Sequence, residues 1–175
     1  KLYNHNLYLI NNNGARNFCL NYGKKKGYLW TFVLDSNSYF TKKLFYKIIN
    51  NIKTDTSYII IPQIRLSDNK LTNESVLSYN FNENAFQIQE PQIAFKYDSK
   101  LEFNSKIPYG SSPKAELLRV LQIPGKWNKW DDNKNIYNIK DRKKVKVKFQ
   151  VLSKIIRLNP QNKDNQSKNN YKLRI

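Results

Sequence analysis

Side chains able to do chemistry are scarce in this sequence. It holds one histidine, His5, and one cysteine, Cys19. His5 lies in a polar stretch with no acid nearby to orient an imidazole, so a general base there lacks its second member. Cys19 follows Phe18 in an apolar stretch and reads as a small buried hydrophobe. A lone cysteine excludes an intramolecular disulfide, and one histidine without a Cys/His cluster excludes a zinc site of the usual spacing. Asp131 and Asp132 resemble a metal pair only by adjacency; with Lys129 and Lys134 beside them they read as a solvated mixed-charge loop. The five glycines do not repeat at phosphate-loop spacing. Asn73-Glu74-Ser75 and Asn165-Gln166-Ser167 match the glycosylation pattern, but an Asn-rich chain produces such matches by chance. Acid, base, nucleophile and oxyanion donor do not converge, so an enzyme is the last reading and no cofactor is expected.

Binding chemistry is abundant instead. Thirty-one Lys and Arg against 13 Asp and Glu leave a net charge of +18 on 175 residues, which opposes compaction until a polyanion neutralises it. The cations are clustered. Lys24, Lys25 and Lys26 fall in a turn between two apolar runs, Lys42 and Lys43 form a second group, and Arg142, Lys143, Lys144, Lys146 and Lys148 a third. From Lys143 to Gln150 Lys alternates with Val and Phe, which places one basic face on a strand or hairpin arm. Each cluster alone reads equally well as a solvated face. Together they point to RNA or DNA, where phosphate neutralisation releases counterions.

The elements that position these residues are mostly strands. Leu7 to Ile10, Tyr28 to Leu34, Tyr58 to Leu66, Ser75 to Phe81, Ala85 to Gln89, Gln92 to Tyr97 and Lys100 to Ile107 are short runs of β-branched and aromatic residues between polar turns. That spacing predicts a mainly β chain, a small barrel or sandwich. Lys42 to Ile52 reads equally as a helix or as a twisted strand and turn. A helix is expected from Ser112, with Pro113 at its first position and Leu117, Leu118 and Leu121 on one side, until Pro124-Gly125 stops it. Residues 122–142 read as a long connection, Val151 to Leu158 as a short helix, and the end of the chain as a polar, basic tail without a core of its own.

The length fits one domain with a modest core. Apolar runs are too short for a bilayer-spanning helix, so no membrane partner is expected. With Lys1 rather than methionine first, the chain reads as a processed or partial product, and no signal-peptide pattern is visible. Phe, Tyr, Ile, Lys and Asn make up about half of the residues, whereas Gly, Ala, Arg and Pro are sparse. The first set has AT-rich codons, which points to the genome of an organelle, a parasite or a virus.

Four separated blocks then matter because they occur in one order. Leu7 to Arg16, L-Y-L-I-N-N-N-G-A-R, resembles the opening L-x-V-A-D-N-S-G-A-R of the universal large-subunit ribosomal protein fourteen family. Asn73 to Ile88 is similar to the family's D-G-S-x-I-x-F-D-x-N-A-x-V-L, with Phe81-Asn82-Glu83-Asn84-Ala85 as the specific match. Lys106 to Arg119, K-I-P-Y-G-S-S-P-K-A-E-L-L-R, resembles R-I-F-G-P-V-x-R-E-L-R. Phe149 to Gln161 resembles the closing F-x-K-I-x-S-L-A-P-E. Residues 92–105, 121–148 and 162–175 look like expansions of the compact form, as in an organellar version.

The resemblance implies a small five-stranded β-barrel with a projecting hairpin and short C-terminal helices. Residues 1–121 would form the rRNA-binding core, 122–148 an insertion, 149–161 the closing helix and 162–175 a basic tail. It further implies a structural component of the large ribosomal subunit, bound to large-subunit rRNA at the subunit interface and bridging to small-subunit rRNA. Neighbouring large-subunit proteins and a ribosome-silencing factor would be its protein partners, and a mitochondrion rather than a plastid its compartment. Asn13 and Arg16 of the first turn, with Lys106, Lys114 and Arg119 of the third block, would face rRNA. Trp127, Trp130 and Tyr171 are expected to anchor insertions against neighbouring proteins, or else to stack on unpaired bases. Two rival readings are a small basic viral capsid protein and a basic accessory subunit of a respiratory complex; neither accounts for the ordered blocks.

Overall fold

The computed structural model describes residues 10–65, 90–107, 114–129 and 142–158. Outside them lie His5, Ser112-Pro113, Trp130, Asp131-Asp132, Tyr171, the runs Ser75 to Phe81 and Ala85 to Gln89, the block Asn73 to Ile88, nearly all of the run Leu7 to Ile10, and the tail after residue 158. The described elements are α1 (Asn12–Lys25), β1 (Trp30–Val33), β2 (Ser38–Tyr39), α2 (Lys42–Ile49), β3 (Tyr58–Ile61), β4 (Gln63–Arg65), β5 (Gln92–Lys96), α3 (Ala115–Val120), a single 3-10 turn (Lys126–Lys129), β6 (Phe149–Val151) and β7 (Ile155–Arg157). The chain is therefore mixed α/β.

Seven strands make two small sheets, ordered β1-β5-β3-β6 and β2-β7-β4, and no closed barrel forms among the described residues. Two connections explain the split. β3 runs into β4 across Pro62, which has no N–H for a ladder, and β6 runs into β7 across Leu152–Lys154, where Ser153 takes a positive φ of 52°. β3 pairs parallel with β6 and β4 parallel with β7, so a two-stranded ribbon leaves one sheet and enters the other. The Pro62 carbonyl accepts from the Ile155 N–H at 2.9 Å and holds the ribbon together at the bend.

Residues 58–61 are buried on both faces. Tyr58 and Ile60 join Leu20, Phe95, Leu117, Leu118 and Trp127 in the larger core, while Ile59 and Ile61 join Ile48, Ala94 and Ile155 on the other side. Helix α2, capped by the Thr41 hydroxyl on the Leu44 N–H, turns Leu44 and Ile48 inward, which settles the Lys42 to Ile52 stretch as helix up to Ile49, with Asn50 as its C-cap.

Several local expectations change. Residues 12–16 open a helix capped by the Asn11 side chain on the Gly14 N–H, not a strand and turn. Val151 to Leu158 holds strand rather than helix, because Ile155 and Ile156 pair with β4 while the β-branched run suits a buried ladder. Lys100 to Ile107 is not a strand. Its backbone is satisfied by side chains instead, the Leu101 N–H by the Tyr58 hydroxyl and the Phe103 N–H by Asn17. Of Lys143 to Gln150, only Phe149 and Gln150 enter a ladder. Cys19 is exposed, not buried.

Trp127 is fully buried in this chain's own core, with its indole N–H donating to the Ile123 carbonyl at 2.8 Å, so it neither stacks on bases nor anchors an insertion elsewhere. It lies so close over Gly125 that a Cβ there would sit 2.2 Å from the ring. Gly125→Ala is therefore expected to lower stability by about 2 kcal/mol through overpacking, read as the urea midpoint at unchanged slope. A midpoint equal to that of the parent chain would show that the indole can move aside.

Candidate nucleic-acid interface

The charged residues divide into an inner and an outer set. The inner set centres on Asp35, which follows β1. Its carboxylate accepts from Arg16 Nη2 at 2.8 Å, from Lys114 Nζ at 3.0 Å and from Gln92 Nε2 at 3.0 Å, with Arg157 Nη1 at 3.8 Å. Burial by itself would raise the Asp35 carboxyl, but the Lys114 charge and the Arg16 and Gln92 hydrogen bonds hold it far below the usual carboxylate range. The Lys114 side chain is 2% exposed. Burial pushes its ammonium down, and Glu90 and Asp35 pull it back up.

Three residues expected to face rRNA belong to this inner set. Lys114 is enclosed by Asp35 and Gln92. Arg16 bonds Asp35 and Asn13 and lies over the Phe103 ring, 5.6 Å from its centroid. Asn13 is fully buried and donates to the Asn104 carbonyl. The cause is the helix at residues 12–25: it turns Asn13 and Arg16 toward the loop at residues 101–104, where a turn would have projected them. Arg119 is half-buried, with Nη1 donating to the Trp127 carbonyl at 3.0 Å. Lys24, likewise half-buried, donates to the Ser99 carbonyl at 2.6 Å.

The outer set is made of exposed lysines on α1, α2 and the segments around residues 106 and 142–148. Lys25 and Lys26 are exposed at the C-terminal end of α1, where the helix dipole favours cations. Lys42, Lys43 and Lys47 are exposed on α2, with Lys42 Nζ 5.8 Å from the Tyr46 ring centroid. Lys106, the first residue of the third resemblance block, is exposed. Residues 142–148 carry Lys143, Lys144, Lys146 and Lys148, all exposed.

That last segment is not a strand, yet it is fixed at several points. Arg142 grips the buried Glu116 carboxylate through Nε at 3.0 Å and Nη2 at 2.9 Å, and Nη2 also donates to the Glu102 carbonyl. The Val145 N–H bonds the Val120 carbonyl, and Val147 packs against the larger core. The segment is thus an anchored stretch without ladder pairing, its lysines exposed. Of its two valines Val147 packs inward while Val145 is exposed with the lysines, so the expected one-sided alternation holds only in part. Lys148 meets Asp55 at 2.9 Å, but both are exposed and such a pair contributes little.

Two lysines of the α2 group escape a reading by clusters in sequence. Lys47 lies four residues after Lys43, on one helix face, where like charges repel. Lys154 arrives from the β6–β7 bend, whose Ser153 hydroxyl donates to the Leu44 carbonyl at 3.0 Å. Burial first and the Lys47 charge second push the Lys154 ammonium below its usual value. Among the described residues, Lys25, Lys26, Lys42, Lys43, Lys47, Lys143, Lys144 and Lys146 make no ion pair with a carboxylate. The spacing of Lys43 and Lys47 is legible once a helix is assumed; the approach of Lys154 is not.

The inner set makes a pH prediction. A carboxyl whose pKa is lowered by folding contributes stability that is complete above its unfolded value of ~3.9 and is lost as pH falls toward the folded value. Asp35→Asn, which leaves Arg16 and Lys114 without their charge partner, is expected to cost about 3 kcal/mol near neutral pH. The deficit shrinks below about pH 4. Urea unfolding across that range reads both; a deficit independent of pH would remove Asp35 from the acid limb. No known family model, curated protein or solved structure matches this chain.

Proposed function

We propose that this chain is a non-enzymatic RNA-binding component of a ribonucleoprotein, with the large subunit of a mitochondrial-type ribosome as the particle its four sequence blocks nominate. In that setting it binds large-subunit rRNA near the subunit interface, contributes to a bridge with small-subunit rRNA and adjoins other large-subunit proteins. The observation that carries the RNA reading is the outer lysine set. Eight exposed ammonium groups on α1, α2 and the anchored segment after Arg142 have no carboxylate partner among the described residues.

Repulsion within that set costs the isolated chain stability, and phosphates relieve it. Lys43 and Lys47 on α2 are joined by Lys154, whose ammonium feels the Lys47 charge, so one group draws on two parts of the fold. The inner cations do other work, holding α1, the head of α3 and β7 in place, so RNA binding falls to lysines rather than to Arg16 or Lys114. The ribosomal part of the reading stands on the sequence blocks. The end of its first block, residues 12–16, opens helix α1 here, so the family's projecting turn is not carried over.

Two experiments test the reading. Replacing Lys143, Lys144, Lys146 and Lys148 by Ala, or Lys43, Lys47 and Lys154 by Ala, is expected to weaken RNA binding. The salt slope should fall by roughly 0.7 to 0.9 for each phosphate that the variant no longer neutralises. Unchanged affinity and slope in both variants would reject these surfaces. Sedimentation of tagged protein from an organelle lysate, with and without ribonuclease, tests the particle. Co-migration with large-subunit rRNA that ribonuclease abolishes is expected; a ribonuclease-resistant shell or a membrane complex would favour the capsid or respiratory readings.

A further inference from the structure

Helix α1 is inverted relative to an ordinary surface helix. Its inner face carries Asn13, Asn17 and Gly23 around the single buried Leu20, and both asparagines are satisfied by the loop at residues 101–104. Its outer face carries Phe18, 73% exposed, and Tyr22, 52% exposed, four residues apart and therefore on one side. The helix stops in a Schellman turn: the Tyr28 N–H bonds the Gly23 carbonyl, and Gly27 takes a φ of +73°. That turn sets a third ring, Tyr28 at 58% exposure, beside the same helix end. Lys25 and Lys26 project there too, and Lys26 Nζ lies 5.6 Å from the Tyr22 ring centroid.

We propose that the outward face of α1 is a stacking platform for unpaired RNA bases, with Phe18, Tyr22 and Tyr28 receiving bases and Lys25 and Lys26 meeting the flanking phosphates. The proposal rests on the RNA reading above and specifies one surface of it. The choice of occupant follows from charge. The helix from Asn12 to Lys25 contains no carboxylate, and the ammonium groups at its end make no ion pair among the described residues. An apolar protein socket would cover the rings but leave those charges unanswered, whereas a nucleotide strand answers both. The strand is unpaired because duplex bases offer no free face, and any base stacks on an aromatic ring regardless of sequence. Lys26 exchanges its place over the ring for a phosphate as a base arrives on Tyr22.

Phe18→Ala and Tyr22→Ala in the full chain test this, with single-stranded oligouridylate and an RNA duplex of equal length as probes over a range of salt. Both positions are exposed, so thermal unfolding should be unchanged. Each variant is expected to lose about tenfold in affinity for the single strand, with duplex affinity and salt slope unaltered. Phe18→Trp should restore single-strand binding, and a thiouridine-labelled strand should crosslink to α1. Parental chain that binds both probes, beside variants that bind oligouridylate equally well, would overturn the platform and leave the RNA reading standing. Parental chain that binds neither probe would overturn both. Unaltered RNA affinity with loss of a protein–protein association would assign this face to a protein.

Discussion

The carboxylate of Asp35 is the constraint on which the arrangement depends. It sits after β1, largely out of water, and collects Arg16 from α1, Lys114 from the head of α3, Gln92 from β5 and Arg157 from β7. A buried carboxylate is tolerable only when cations and donors surround it, and a buried ammonium only when a carboxylate does. Each member therefore requires the others, and elements distant in sequence are held in one orientation. The rotation of α1 follows from it. With Arg16 and Asn13 turned inward, Phe18 and Tyr22 have no direction left but outward.

The same geometry sorts the cations by chemistry. The arginines whose side chains are described, Arg16, Arg119, Arg142 and Arg157, all donate to protein acceptors. A guanidinium presents several donors in a rigid plane and suits fixed partners such as the Glu116 carboxylate, whereas a lysine is a hydrated point charge on a flexible stem. Most of the exposed positive charge is accordingly lysine. Its supports are tied to the fold, since α2 packs through Leu44 and Ile48 and the segment after Arg142 is pinned by Arg142 at one end and Val147 near the other.

The departure from a barrel has a local cause with a distant consequence. Pro62 and Ser153 bend two strands that run side by side, so both cross from the four-stranded sheet to the three-stranded one. Short apolar runs of similar length serve a barrel, a sandwich or a kinked ribbon equally well, because period-two burial says which face is covered and not which strand lies next. Val151 to Leu158 shows the ambiguity at its sharpest. Its apolar residues fit a helix of about two turns or parts of two short strands, and pairing with β4 decides for strand at Ile155 and Ile156.

Composition and short-range pattern alone determined that this chain is strongly basic, holds several short strands and is equipped with lysine clusters; the mainly β balance they suggested gives way to a mixed α/β fold. They also located β1, β3, β5 and a helix near residue 115, because apolar periodicity and turn residues act over a few positions. Tertiary structure alone decided which cations are available. Lys114 and Lys106 look alike in sequence, yet one is sealed against Asp35 and the other is exposed. Trp127 reads as a free aromatic in sequence and is core. Lys154 gained significance only when a bend carried it to Lys47. The reason is physical: charge and hydrophobicity belong to a residue, but desolvation and ion pairing belong to what the fold packs against it.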